Sequence, residues 1–133
     1  MVFDTETTGL PTSFGAPASD VDNWPRVVQL AWEAFGVCGR KALARSDLIR
    51  PDGYIIPRDA EAVHGISTEI ARRNGSPIAS VLETFMRPLT VASVIVAHNF
   101  KFDVNVLAAE FHRLDIPDPF LSKTYICTHC CPN

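Results

Sequence analysis

Hydrophobic periodicity changes character about halfway along the chain, and that change constrains the fold more than any single motif does. Up to residue 50 the apolar residues come in strand-like stretches. Met1-Val2-Phe3 runs into Asp4 as the last part of a buried strand. Val27–Phe35 partly alternates, with Val27, Gln29 and Ala31 opposing Val28, Leu30 and Trp32, and Lys41–Arg50 offers an antiparallel partner across a turn at Gly36. Pro51-Asp52-Gly53 then ends the sheet-forming half with strong turn chemistry. Beyond it the helical period takes over. Asp59–His64 reads as a short helical turn. Ile78, Val81, Leu82, Phe85, Met86 and Leu89 mark an amphipathic helix entered through Ser76 as N-cap and Pro77 as first helical residue. Val91–Ala97 is too short and β-branched for a helix and reads as a buried strand. A second helix runs from Lys101 to about Leu114, with Val104, Leu107, Ala108, Phe111 and Leu114 on one side. Pro117 and Pro119 break the chain, and Thr124–Cys127 makes a last strand. The expectation is an α/β fold: a mixed sheet of three early antiparallel strands, then helix–strand–helix–strand, with helices packed on it. No repeat or long linker divides residues 1–133, so one domain is expected.

With 47% hydrophobic residues in 133, the chain can bury a core of its own. Its formal net charge of −3 excludes a general electrostatic grip on nucleic acid, so any such chemistry must come from a local site. Asp4 and Glu6 fall where a signal peptide would need a basic and then an apolar stretch. Val91–Ala97 is far short of the roughly 20 residues of a membrane helix. Cys38, Cys127, Cys130 and Cys131 are not spaced as a disulfide framework, which points to reduced thiols and a cytoplasmic protein without membrane contact. Cys127-x-x-Cys130, with His129 and Cys131, is a single half-site, so no structural zinc is expected. Leu10–Arg26, with Pro11, Gly15, Pro17 and Pro25, is a long loop of the functional rather than the filler kind, although the sequence assigns it no role.

Two clusters carry chemistry. In a strand, residues two apart point the same way, so Asp4 and Glu6 project together and repel unless a cation or proton lies between them. Such hard oxygen donors suit Mg²⁺ or Mn²⁺. A solvated strand end explains Asp-x-Glu equally well on its own. The longer string Phe3-Asp4-Thr5-Glu6-Thr7-Thr8-Gly9-Leu10-Pro11 is more telling. The second cluster, Val96-Ala97-His98-Asn99-Phe100-Lys101-Phe102-Asp103, puts His98 and Asn99 at a strand end and Asp103 in the next helix's first turn. There Asp103 faces Asp4 and Glu6 across the sheet edge, or simply complements the helix dipole while Asn99 caps the helix.

Together these strings resemble the DEDD superfamily of 3′–5′ exonucleases, in the branch of the proofreading epsilon subunit of bacterial DNA polymerase III. Phe3–Leu10 is similar to the first motif and His98–Asp103 to the second. Arg26–Trp32 and the segment from Ile56-Pro57 to His64-Gly65-Ile66 are also similar to stretches found there. The resemblance implies a ribonuclease H-like fold with a mixed five-stranded sheet. It implies two-metal hydrolysis of terminal phosphodiester bonds in DNA or RNA, in proofreading or repair, with two ions about 4 Å apart. Asp4 would bridge both ions, Glu6 would hold the one that activates water, and Asp103 would support the other through water. By the same resemblance Thr7, Thr8 and Gly9 contact the terminal nucleotide through backbone, and Leu10 wedges against its base. His64, Asn99 and Phe102 make further contacts, with core packing an equal account of Phe102. The implied partners are the 3′ end of single-stranded DNA or RNA and a DNA polymerase subunit.

The family's third motif, an aspartate preceded five residues earlier by a histidine, has no counterpart in the 133 residues. Glu110, Asp115 and Asp118 are the acids after Asp103, His112 and Asp115 have the wrong spacing, and no acid follows His129. The expectation is therefore an exonuclease domain incomplete at its C-terminus and, with three residues before Asp4, at its N-terminus, marginally stable and nearly inactive alone. Two other readings stand beside it. One is a catalytically inactive nucleic-acid-binding or assembly module of the same fold. The other is a phosphatase with an aspartate nucleophile, which Glu6 and the missing later acidic pair disfavour.

Overall fold

The computed structural model describes residues 1–129. Its elements are β1 (Val2–Thr7), β2 (Val27–Phe35), β3 (Lys41–Leu48), α1 (Arg58–His64), α2 (Thr68–Asn74), α3 (Ile78–Val91), β4 (Val94–Ala97), α4 (Phe100–Arg113) and β5 (Thr124–Cys127). They form one five-stranded sheet in the order β3-β2-β1-β4-β5. β1–β2 and β2–β3 pair antiparallel, whereas β1–β4 and β4–β5 pair parallel. This is the mixed sheet expected from the sequence, with the helices of the second half supplying the crossovers that parallel neighbours require. Cys130 and Cys131 lie outside the described residues.

Alternation in β1 sets the layers. Phe3 and Thr5 are buried while Val2 and Asp4 are exposed. Phe3 packs on Phe85 of α3, Phe100 of α4 and Phe120, with ring centroids 5.7–6.2 Å apart. Around it gather Leu30, Trp32, Ile95, Leu82, Leu89, Leu107 and Phe111, so α3 and α4 cover this face. The strands β1, β4 and β5 turn Val2, Val94 and Ile126 outward, each at least 36% exposed.

The departures from the sequence reading have local causes. Val27 and Val28 are both fully buried rather than alternating, because the β1–β2 register shifts between Glu6 and Thr7 and leaves Val28 as an extra residue. Val28 joins a second cluster with Ile56, Ala60, Ile66 and Ala71. Ser76 does not cap α3. Its backbone instead bonds to Leu48 O and Arg50 N in a parallel bridge with Ile49, and Pro77 takes the cap position without a side-chain bond. Asn99 stands at the N-cap of α4 in the left-handed region (φ 52°) with no side-chain cap bond. The helix α2 is absent from the sequence reading because it buries only Ala71 and so carries no apolar stripe. It begins at Ser67, whose hydroxyl accepts from Ile70 N at 3.1 Å.

Two acids of α4 fasten this helix across the sheet. The Asp103 carboxylate, 3% exposed, accepts from Thr5 N at 3.1 Å and from the Thr5 hydroxyl at 2.6 Å. Burial pushes Asp103 up to about 6, and the charge of Asp4 adds to the rise against the opposing effect of the Thr5 bonds. Seven residues on, Glu110 accepts through Oε1 from Arg26 Nε at 2.9 Å and Val27 N at 3.0 Å. Arg113 Nη1 stands 3.1 Å from the same oxygen. Arg26 also lies over the Tyr54 ring, whose hydroxyl donates to Val27 O and is pushed up to about 12, chiefly by burial.

Two outcomes follow. A Cβ on the buried Gly75 would collide with Ala71 O and lie 2.6 Å from Arg50 N, where α2 passes the end of β3. Gly75→Ala is therefore expected to cost about 1–3 kcal/mol and lower the melting temperature by several degrees. Asp103 titrates higher folded than its ordinary 3.8, so the folded state binds the extra proton and stability falls as pH rises from about 4 to about 6. In EDTA, Asp103→Asn is expected to melt a few degrees above the wild type at pH 7, with the gap closing towards pH 4 in a thermal-melt series.

Candidate functional site

The carboxyl end of β1 is where the chain concentrates unusual groups. Asp4 and Glu6 share one side of the strand and stand opposite Ala31 and Gln29 of β2, with Asp4 exposed and Glu6 half-buried. The turn that follows is held by its own side chains. The Thr7 hydroxyl donates to Gly9 O at 2.8 Å, and Gly9 takes a φ of 147° that side chains other than hydrogen rarely allow. Thr8 is turned to the other side, where its amide bonds to Arg26 O and its hydroxyl accepts from Arg26 N at 2.9 Å.

This turn forms one wall of a cleft of about 520 Å³. Thr5, Glu6 and Thr7 line it from β1, Gly9 and Leu10 from the turn after it, Asp59, Ala60, Val63 and His64 from α1, and Phe102 from α4. Leu10 is 75% exposed at its rim. Gly65 ends α1 in the left-handed conformation and turns the chain so that Ile66 N donates to His64 Nδ1 at 3.1 Å. With Nδ1 accepting, Nε2 carries the N–H of the ring; it is buried and has no partner among the described residues. A buried donor without an acceptor is costly, and a ligand oxygen in the cleft would relieve that cost. A larger cleft of about 760 Å³ lies at the other end of β1, lined by Met1, Phe35, Val37, Leu43 and Val91 with Arg87 as its one charged residue. It is bigger, but its side chains include no carboxylate, imidazole or thiol.

Of the residues singled out in the sequence, Glu6, Thr7, Gly9, Leu10, His64 and Phe102 thus meet around one cleft, while Asp4, Thr8, Asn99 and Asp103 lie outside its wall. Asp103 bonds to Thr5, a lining residue, rather than joining the acidic pair. The alternation of β1 explains this, since Thr5 faces away from Asp4 and Glu6 and takes Asp103 with it. Among the described residues no three His, Cys, Asp or Glu side chains come together as a metal-holding group. Asp4 and Glu6 form a two-carboxylate pair suited to a hard divalent cation, and Asp103 is coupled to Asp4 by charge rather than joined to the pair as a direct neighbour. His98 is exposed, with Nδ1 3.1 Å from the Thr128 hydroxyl. The sequence reading missed Asp59 and Val63. Their spacing against Ala60 and His64 on one helical turn was the available signal.

A family model described as exonuclease (RNase_T) matches residues 1–130. Among solved structures, the chain is similar to E. coli exonuclease I in complex with a dA16 oligonucleotide, with a TM-score of 0.75 and 21% identity over 95% of this chain. It is similar also to the metal-free form of the exonuclease I complex with single-stranded DNA, at 0.77 and 22% over 96%, and to the zinc-bound form, at 0.75 and 22% over 95%. In each case it spans 27% of the other chain, and the likeness extends to the ribonuclease H-like fold. No curated protein sequence matches it. No helix among the described residues is long and apolar enough to cross a membrane. On a family match that runs through nearly all of its length, the chain belongs to the exonuclease family.

Proposed function

We propose that this domain hydrolyses the terminal phosphodiester bond at the 3′ end of a single-stranded polynucleotide, DNA foremost. The observation that carries the reading is the cleft in which Glu6, the Thr7–Gly9 turn, the unpartnered Nε2–H of His64 and the ring of Phe102 converge. Family membership supports exonuclease chemistry, and the fold it shares with exonuclease I, which is solved with dA16 and dT13 oligonucleotides, supports an unpaired strand as substrate.

The chain's own residues divide the work. The turn from Thr7 to Gly9, with a glycine at its end, offers a close, side-chain-free approach of backbone to the terminal nucleotide. His64 Nε2 donates to an oxygen of that nucleotide. Leu10 and Phe102 flank its base with apolar surface. Asp4 and Glu6 would hold divalent cation, Mg²⁺ or Mn²⁺, as hard oxygen ligands, while Asp103, bound to Thr5, would add its charge from outside the pair. When bound, such ions supply Lewis-acid polarisation of the phosphate and a lowered pKa for attacking water. No histidine of the described residues adjoins the Asp4–Glu6 pair as a hydrogen-bonded base, so no proton abstraction is assigned to one.

The lack of a three-carboxylate group among the described residues favours a second reading, a module that binds strand ends without cutting them. Mg²⁺-dependent digestion of a 5′-labelled oligonucleotide, followed on a gel, separates the two. The nuclease reading expects shortening from the 3′ end that falls at least about a hundredfold in Asp4→Ala, since the pair's charge stabilisation amounts to several kcal/mol. Tight binding with no metal-dependent shortening establishes the module instead.

A further inference from the structure

The loop over residues 10–26 is too well built to be a passive connection. Ser13 N donates to Asn23 Oδ1 at 2.7 Å, Asn23 Nδ2 returns a bond to Ser13 O at 3.0 Å, and Thr12 N bonds to Asn23 O. Trp24, 3% exposed, donates from its indole to Pro17 O. Arg113 of α4 donates to both Val21 O and Trp24 O. Polar bonds and one buried indole therefore fix the loop, yet its apolar tip is not used for packing in the core. Phe14 is 54% exposed, its ring centroid 6.5 Å from that of Phe102 at an interplanar angle of 47°. Phe102 in turn lines the cleft that holds Glu6 and His64.

We propose that Phe14 and Phe102 form a stacking platform for an unpaired nucleobase of the strand whose 3′ end occupies the Glu6–His64 cleft. This rests on the proposed function and adds to it the role of the loop. Two features select a base as the occupant. The platform adjoins the cleft, since Phe102 belongs to both. The chain carries a formal net charge of −3, so its hold on a polyanion cannot come from bulk attraction, and stacking on aromatic faces is the sequence-tolerant alternative. Two rings are also too small a patch for a stable contact between copies of the chain.

The test is anisotropy binding of a short 5′-fluorescein-labelled oligothymidylate to the full chain in Ca²⁺, with companion oligonucleotides carrying one abasic residue at successive positions from the 3′ end. Phe14→Ala is expected to weaken binding roughly five- to a hundredfold, and Phe14→Trp to retain it with quenched indole emission. At one abasic position the Phe14→Ala penalty should vanish, because the partner base is already gone. Thermal melting should be unchanged, since the ring is mostly in solvent. Wild-type affinity in Phe14→Ala, an equal penalty at every abasic position, or a change in self-association on gel filtration as the sole effect would overturn the platform alone. Failure of the wild type to bind any of these oligonucleotides would overturn the functional reading and the platform with it.

Discussion

The carboxylate of Asp103, held by both the amide and the hydroxyl of Thr5, is the bond on which the working end of the molecule depends. It crosses 98 residues of sequence and fixes the first turn of α4 against the one strand that carries the acidic pair. A buried acid in this position is expensive, and its two donors lower that cost without removing it, which is why the group remains easier to protonate than a surface aspartate. Phe102, one residue earlier, is delivered to the cleft by the same attachment. Position in α4 therefore decides two features at once: which side of β1 the second acid occupies, and where the aromatic wall stands.

Much of this was legible beforehand because it rests on short-range periodicity. The strands Val27–Phe35 and Thr124–Cys127 were read with the bounds they have, and the two long helices to within a few residues. The expectation that failed most plainly, Ser76 as a helix cap, failed because a distant partner competed for it: Leu48 and Arg50 take its backbone into a bridge that no local rule anticipates. The double burial of Val27 and Val28 has the same origin, a register shift imposed by the neighbouring strand. For the site, the motifs located Glu6, Thr7, Gly9, Leu10, His64 and Phe102 of the cleft wall, and not Asp59 or Val63. They did not reveal that Thr5 stands between Asp103 and the Asp4–Glu6 pair, since that follows from which layer α4 packs in. Phe14 carried no signal, because the apolar residues of its loop, Leu10, Val21 and Trp24 among them, follow no period that singles one out.

The cleft also shows how a small acidic chain can be arranged to receive a charged polymer. Its polar side chains are few: the carboxylates of Glu6 and Asp59, the hydroxyls of Thr5 and Thr7, and the imidazole of His64. Its apolar groups are Leu10 at the rim and Phe102 in the wall. Under the proposed function, such a site would distinguish a strand end from a strand interior by shape, without reading sequence.

The Glu110 corner has a consequence for how this protein would respond to its surroundings. One oxygen, Glu110 Oε1, faces two guanidinium groups and an amide in a place where only 1% of the glutamate side chain meets solvent. Mobile ions shield charges they can approach, so exposed pairs such as Arg87–Glu83 fade in concentrated electrolyte while this one persists. The long loop, tethered there through Arg26 and Arg113, keeps its posture across ionic strengths that strip a polyanion from a surface. A salt titration of strand capture would accordingly register the contacts to the strand itself, undistorted by any loosening of the arm that presents them.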